Sequence, residues 1–210
     1  MTTGNIEFLF DGPEGADVTV VLAHGAGMPM DAPFMKVFAD GIAKGGHRVA
    51  RFEFPYMQRQ RAKRKRVPPN NAAVLIERYL AVAGALGGGS RLVIGGKSLG
   101  GRIATLIANQ IGAKGVVCLG YPFHPPDKPE SSRIEYLQNI AAPTLILQGA
   151  EDPYGAPDEV AGYSLPENVI ITWLDGGDHH LTTNGKDGAS DKENWAEGAS
   201  AISQFVTGLE

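Results

Sequence analysis

The sequence predicts an α/β fold, a mostly parallel, doubly wound sheet with helices on both faces, in a single domain over residues 1–210. Three observations carry this. Short apolar runs recur at residues 18–23, 92–94, 115–120, 143–149 and 169–174, and the first is an almost continuous β-branched run, the pattern of a strand covered on both faces. Between them lie segments with apolar side chains at helical spacing, so right-handed crossovers and parallel pairing follow. At 210 residues, 43% hydrophobic and 20% charged, the chain can bury one substantial core, and no second domain is expected.

Taken in order, residues 6–10, IEFLF, alternate weakly and read as an edge strand closed by the turn signal Asp11-Gly12-Pro13. Residues 18–23 form a central strand that runs into His24-Gly25-Ala26-Gly27. Asp31 is placed to cap a helix carrying Phe34, Val37, Phe38 and Ile42, which Gly45-Gly46 stops. A strand at 48–54 exits at Pro55 into the basic run RQRAKRKR, residues 59–66, which reads as a loop. Pro68-Pro69-Asn70-Asn71 opens a helix faced by Val74, Leu75, Tyr79, Leu80 and Val82, and Gly87-Gly88-Gly89 ends it.

The strand at 92–94 and a helical segment at 102–108 enclose GGKSLGG. After the strand at 115–120 come a proline-rich loop at 124–129, a short helix at 134–140, the strand at 143–149 and a helix at 158–165. The last strand, 169–174, delivers Gly176-Gly177-Asp178-His179-His180. A polar loop at 182–191 precedes a closing helix with Trp195, Ala199, Ile202, Phe205, Val206 and Leu209 on one face.

Composition narrows the class. Nothing approaches eighteen uninterrupted apolar residues, and the opening MTTGNIE lacks a basic region followed by an apolar one, so a cytoplasmic protein with no membrane partner is expected. The single cysteine, Cys118, sits in a strand and reads as a packed apolar residue. Net charge is −4, but the run at 59–66 holds six of the 19 Lys and Arg. The rest, with 13 basic against 23 acidic residues, carries −10. That balance argues against a nucleic-acid partner, since the acidic body repels a polyanion.

The chemistry centres on Ser98, flanked by Gly96 and Gly100 in a G-x-S-x-G pattern. With 28 Gly and 8 Ser, chance supplies about 0.14 such matches per chain, so the pattern needs its context. The context is a strand before and a helix after, the strained turn that lifts a serine hydroxyl clear of the backbone. A serine attacks carbonyl carbon only when a base takes its proton and a third group orients the base. Asp152 and His179 follow in chain order, and with His24 they fall at the carboxyl edge of the sheet, where ligands of such sheets bind.

Around this nucleophile, the N–H of Leu99 opens a helix and is a candidate oxyanion donor. A second donor is expected from the glycine loop, at Ala26 or alternatively Gly27. Gly25, Gly27, Lys97, Arg61 and Arg64 are candidate substrate contacts. Asp127 is the rival acid and His180 the rival base. Adjacent histidines rarely chelate one ion together, and no H-x-x-x-H or C-x-x-C spacing occurs, so neither a metal nor a cofactor is expected.

Through LAHGAG, RFEFPYM, GGKSLGGR, PTLILQGAEDPYG and GGDHH, the chain resembles small α/β-hydrolases, close to dienelactone-hydrolase-like esterases and to the predicted hydrolases related to testis-expressed protein thirty. The resemblance implies the minimal α/β-hydrolase fold without a cap domain, and a Ser98–Asp152–His179 triad. It places the acid after the strand at 143–149 and the base in the G-D-H ending, leaving His24 as a structural histidine bonding nearby backbone. Dienelactone hydrolases proper carry cysteine at the elbow, so Ser98 implies an ester or acyl hydrolase instead. Only twenty residues separate Pro122 from Pro143, where larger relatives insert a cap. A shallow, open pocket for short or exposed acyl groups follows.

Two questions stay open at this level. The basic run is either a rim that attracts anionic substrates or a solvated loop. The alternative to an esterase is a hydrolase-fold scaffold or nucleic-acid-binding protein that uses residues 59–66, its triad inherited and idle.

Overall fold

The computed structural model describes residues 6–183 and 191–209. Strands β1 (Phe8–Asp11), β2 (Thr19–Ala23), β3 (Arg48–Phe52), β4 (Leu92–Lys97), β5 (Gly115–Leu119), β6 (Thr144–Gly149) and β7 (Val169–Leu174) build one sheet in the order β1-β3-β2-β4-β5-β6-β7. β1 runs antiparallel to β3 at the edge, and every other neighbouring pair is parallel. The helices are α1 (Pro33–Lys44), α2 (Pro55–Lys63), α3 (Ala72–Ala85), α4 (Leu99–Ile111), α5 (Glu135–Gln138), α6 (Pro157–Val160) and α7 (Asp191–Thr207). No helix of the described residues is long and apolar enough to cross a membrane.

Consecutive apolar residues serve two faces at once. Val20, Leu22, Val93 and Val117 pack with Phe34, Phe38, Ile202 and Val206 of α1 and α7. Their neighbours Val21, Ile94 and Val116 pack on the opposite face with Leu75, Tyr79, Ile103 and Ile107 of α3 and α4. β4, β5 and β6 are buried along their whole length, which explains why these strands read as runs rather than alternations. Each such side chain contributes roughly 1.5–3 kcal/mol on burial. Tyr79 pins the centre of the sheet: its hydroxyl lies 2.6 Å from the Gly95 carbonyl oxygen and accepts from the Gly95 N–H at 2.8 Å.

Four local expectations are corrected. The basic run is not all loop, because α2 extends through Lys63, anchored by buried Tyr56 and Met57. Asp31 does not cap α1; the cap position is Ala32 with no side-chain bond, Pro33 presets the first turn, and Asp31 pairs with Arg61 instead. The helix expected at 158–165 is only Pro157–Val160, and the one at 134–140 only Glu135–Gln138. Asn71 does cap α3, its side chain accepting from the Val74 N–H at 3.1 Å. Of the polar loop at 182–191, residues 184–190 lie outside the described residues. Between β5 and β6 there is only the single turn of α5, so no cap domain covers the carboxyl edge.

Candidate active site

The turn at Ser98 is built by its neighbours. Ser98 has φ 49° and ψ −107°, a strained conformation for a residue with a side chain, and it joins β4 directly to α4. Such a residue costs on the order of 1–3 kcal/mol and persists only when its surroundings fix it. They do so here on both sides of the peptide. The Ser98 N–H donates to the Leu119 carbonyl at 3.0 Å, and its carbonyl accepts from the Arg102 N–H at 2.9 Å. A Cβ at Gly96, which has φ 149°, would stand 2.1 Å from the Ala23 carbonyl oxygen, and one at Gly100 would stand 2.4 Å from the same atom. Both glycines of the motif therefore serve the approach of β2 to the turn.

Parallel strands bring the polar loops together at one edge. His179 Nε2 lies 2.9 Å from Ser98 Oγ, and His179 Nδ1 lies 2.8 Å from Asp152 Oδ2. Asp152 is 1% exposed. Its Oδ1 accepts from the Tyr154 N–H at 2.8 Å, and its Oδ2 also accepts from Gln148 Nε2 at 2.8 Å. A carboxylate only accepts, so Nδ1 carries the ring proton and Nε2 presents its lone pair to the serine hydroxyl. The imidazole stacks on Tyr154 with ring centroids 4.1 Å apart. Burial pushes His179 below its ordinary value; the Asp152 hydrogen bond opposes that shift and the nearby Lys97 charge adds to it.

The rival residues lie elsewhere. His180 is exposed, its N–H tied to Asp178 Oδ1 and its ring edge-on to His179. Asp127 is exposed in the proline-rich loop. His24 is fully buried, with Nδ1 2.7 Å from the Gly25 carbonyl and Nε2 accepting from the Phe54 N–H at 3.1 Å, the backbone-bonding role expected of it.

The loop after β2 is shaped by a residue that the sequence reading passed over. The Tyr56 hydroxyl lies 3.1 Å from the carbonyl oxygens of both Gly25 and Ala26 and braces the loop from the start of α2. Leu99, the first residue of α4, has no intrahelical acceptor for its N–H. β2 and β4 are neighbours, with Ala23 opposite Gly96, so the loop at Ala26 and the start of α4 leave the sheet side by side.

A cavity of about 860 Å³ opens beside that loop, lined by Ala26, Gly27, Met57, Arg64, Lys65 and Arg66. The six cations of the basic run divide sharply. Arg59 bonds Asn70 Oδ1, and Arg61 is held by the buried Glu53 and by Asp31, which raises its already high pKa and lowers that of Asp31. Lys63, Arg64, Lys65 and Arg66 make no side-chain hydrogen bond or ion pair among the described residues. Arg64 ends α2 in the left-handed conformation, at φ 48°.

One candidate contact is corrected by this arrangement. Lys97 is 1% exposed and faces the interior, so it is not available to a ligand in the open site. Arg61 borders the cavity, but its guanidinium is already engaged by two carboxylates. Gly25 lies against the Lys97 stem, whereas Gly27 and Arg64 line the cavity. Gln148 and Tyr154 were missed as supports of Asp152, although both lie within four residues of it in PTLILQGAEDPYG.

Solved structures share this architecture at low identity. Dienelactone hydrolase from Anabaena variabilis superposes with a TM-score of 0.75 at 21% identity, covering 98% of this chain and 93% of that one. A lid-less α/β serine hydrolase from Xanthomonas campestris gives 0.71 at 16%, covering 96% and 88%. An α/β serine hydrolase homologue from Coxiella burnetii gives 0.70 at 17%, covering 96% and 91%. A family model described as an alpha/beta hydrolase domain matches residues 16–207, and the chain belongs to that family.

Proposed function

We propose that the protein is a serine hydrolase that cleaves carboxylic esters or thioesters of small or exposed acyl groups through an acyl-enzyme on Ser98. One observation carries the reading: the unbroken hydrogen-bonded chain from Ser98 Oγ through His179 to the buried Asp152. In the first half-reaction Ser98 Oγ attacks the acyl carbon as its proton passes to His179 Nε2, and Asp152 stabilises the imidazolium. The N–H groups of Leu99 and Ala26 receive the oxyanion. As the tetrahedral species collapses, the proton moves from Nε2 to the departing alcohol or thiol. A water then repeats the sequence against the acyl-enzyme, returning the proton to Ser98 and releasing the acid.

The unpaired Arg64, Lys65 and Arg66 in the cavity beside Ala26 favour substrates that carry a carboxylate or phosphate. The hydrolases among the similar folds, a dienelactone hydrolase and serine hydrolases, support the reaction class. The test is a panel of p-nitrophenyl esters, thioesters and lactones run on the protein and on Ser98→Ala. Turnover lost by about 10³-fold or more in the variant supports the proposal. Equal turnover by both proteins removes it.

A further inference from the structure

Lys97, the residue directly before the nucleophile, is a buried cation that the hydrolysis described above does not use. β4 directs Val93, Gly95 and Lys97 to the α1 and α7 side of the sheet, because the side chains of a strand alternate. The lysine stem passes over Gly25, where a Cβ would stand 3.1 Å from its Cγ. Its ammonium ends beneath Gly120, where a Cβ would stand 3.0 Å from Nζ, and 5.9 Å from the centre of the Phe34 ring. Two glycines, at the ends of β2 and β5, thus leave the channel that the side chain fills. The same point at Gly120 lies 3.4 Å from His179 Nδ1, so ammonium and imidazole are within about 7 Å of each other.

Nζ makes no hydrogen bond among the described residues. Its two facing carboxylates are committed to other donors: Asp152 to Tyr154, Gln148 and His179, and Asp178 to the His180 N–H and to Thr182. An unpartnered ammonium in the interior costs stability that a methionine of similar shape would not. Breaches of that kind concentrate where a charge has work to do.

We propose that Lys97 is a positioning residue that acts through His179: its ammonium, behind the imidazole and bonded to neither carboxylate, holds the ring in its neutral, proton-accepting form. This rests on the reading of Ser98, His179 and Asp152 as the reacting groups. Besides Lys97 on β4, the groups facing the imidazole are Asp152 and Tyr154 after β6, Ser98, and His180 on its own loop. Asp152 favours the imidazolium, whereas Lys97 and His180 oppose it. Burial lowers Lys97 to about 7, against the pull of Asp152 and Asp178. The lysine is therefore charged over the acid range in which His179 takes up its proton.

The test is a histidine NMR titration of Ser98→Ala with and without Lys97→Met, which needs no turnover. The His179 midpoint rises by about half a unit or more when the lysine is removed. In the Ser98 protein the acid limb of kcat/KM moves up by the same amount, and the thermal midpoint is unchanged or higher. Should Lys97→Met not fold, Lys97→Gln carries the same measurement. A His179 midpoint that does not move makes Lys97 a packing residue and overturns the proposal. A midpoint that moves in a protein hydrolysing nothing in the ester panel upholds Lys97 while removing the proposed function.

Discussion

Gln148 donates to the Asp152 oxygen that faces His179, at 2.8 Å, and its own oxygen accepts from the Tyr121 N–H at 2.7 Å. One buried amide thereby fixes the carboxylate and ties the end of β5 to β6. Gln148→Leu leaves the Tyr121 N–H unpaired, at a cost of about 1–3 kcal/mol. It also frees Asp152 to rotate, and kcat/KM falls about tenfold or more. Chemical denaturation and ester kinetics on the same variant measure the two effects; stability lost with activity retained would show that Gln148 only supports the fold.

The pH dependence has a definite sign. Burial holds both His179 and His24 below their ordinary 6.5, so as pH falls the unfolded chain takes up protons before the folded one. Their contribution to stability is complete above 6.5 and is lost as pH falls through the two folded values. Unfolding free energy therefore decreases on the acid side of neutrality, and the acid limb of kcat/KM has its midpoint below 6.5. Denaturant titrations at about pH 7.5 and about pH 5.5 check the first statement, and a kcat/KM profile checks the second.

The elbow glycine Gly100 and the helix glycine Gly84 stand in opposite surroundings. Gly100→Ala drives a Cβ to 2.4 Å from the Ala23 carbonyl oxygen and forces β2 and α4 apart. Gly84, exposed in α3, has nothing within 4 Å of its Cβ position. Gly84→Ala is expected to gain about 0.5–1 kcal/mol from helix propensity, while Gly100→Ala loses several times that and most of the activity. Thermal melts of the pair provide the comparison.

Replacing Arg64, Lys65 and Arg66 by glutamine raises KM about tenfold for esters bearing a carboxylate and leaves neutral esters of the same length unchanged. The difference shrinks as salt is added. A parallel loss on both substrate sets would make the segment structural.

The inner strands were legible because they are buried on both faces, which writes them as runs such as VTVVLA and VVCLG. Ser98, Asp152 and His179 were each marked by the strand end that carries them, and they meet because β4, β6 and β7 end at one edge. What could not be read depends on contacts distant in sequence. The basic run looked like a repelling loop, yet Tyr56 and Met57 bury under it and Glu53 and Asp31 neutralise Arg61. The helix at 157 stops early, before Leu165, the residue that Pro166 restricts, because Gly162 and Tyr163 close turns onto Glu159 and Val160. Lys97 read as a ligand contact, since the pattern GKSLG does not say which face of β4 the lysine takes.

A serine that carries the acyl group is also the residue that a phosphonylating reagent labels. Intact mass after brief exposure to a fluorophosphonate, followed by peptide mapping, reads that label. A nucleophilic Ser98 gives one equivalent of label on the peptide containing it, none on Ser98→Ala, and labelling slowed by about 10³-fold or more in His179→Gln. A folded protein that stays unlabelled, or a Ser98→Ala variant that takes the label as readily as the native chain, would contradict that nucleophilic role.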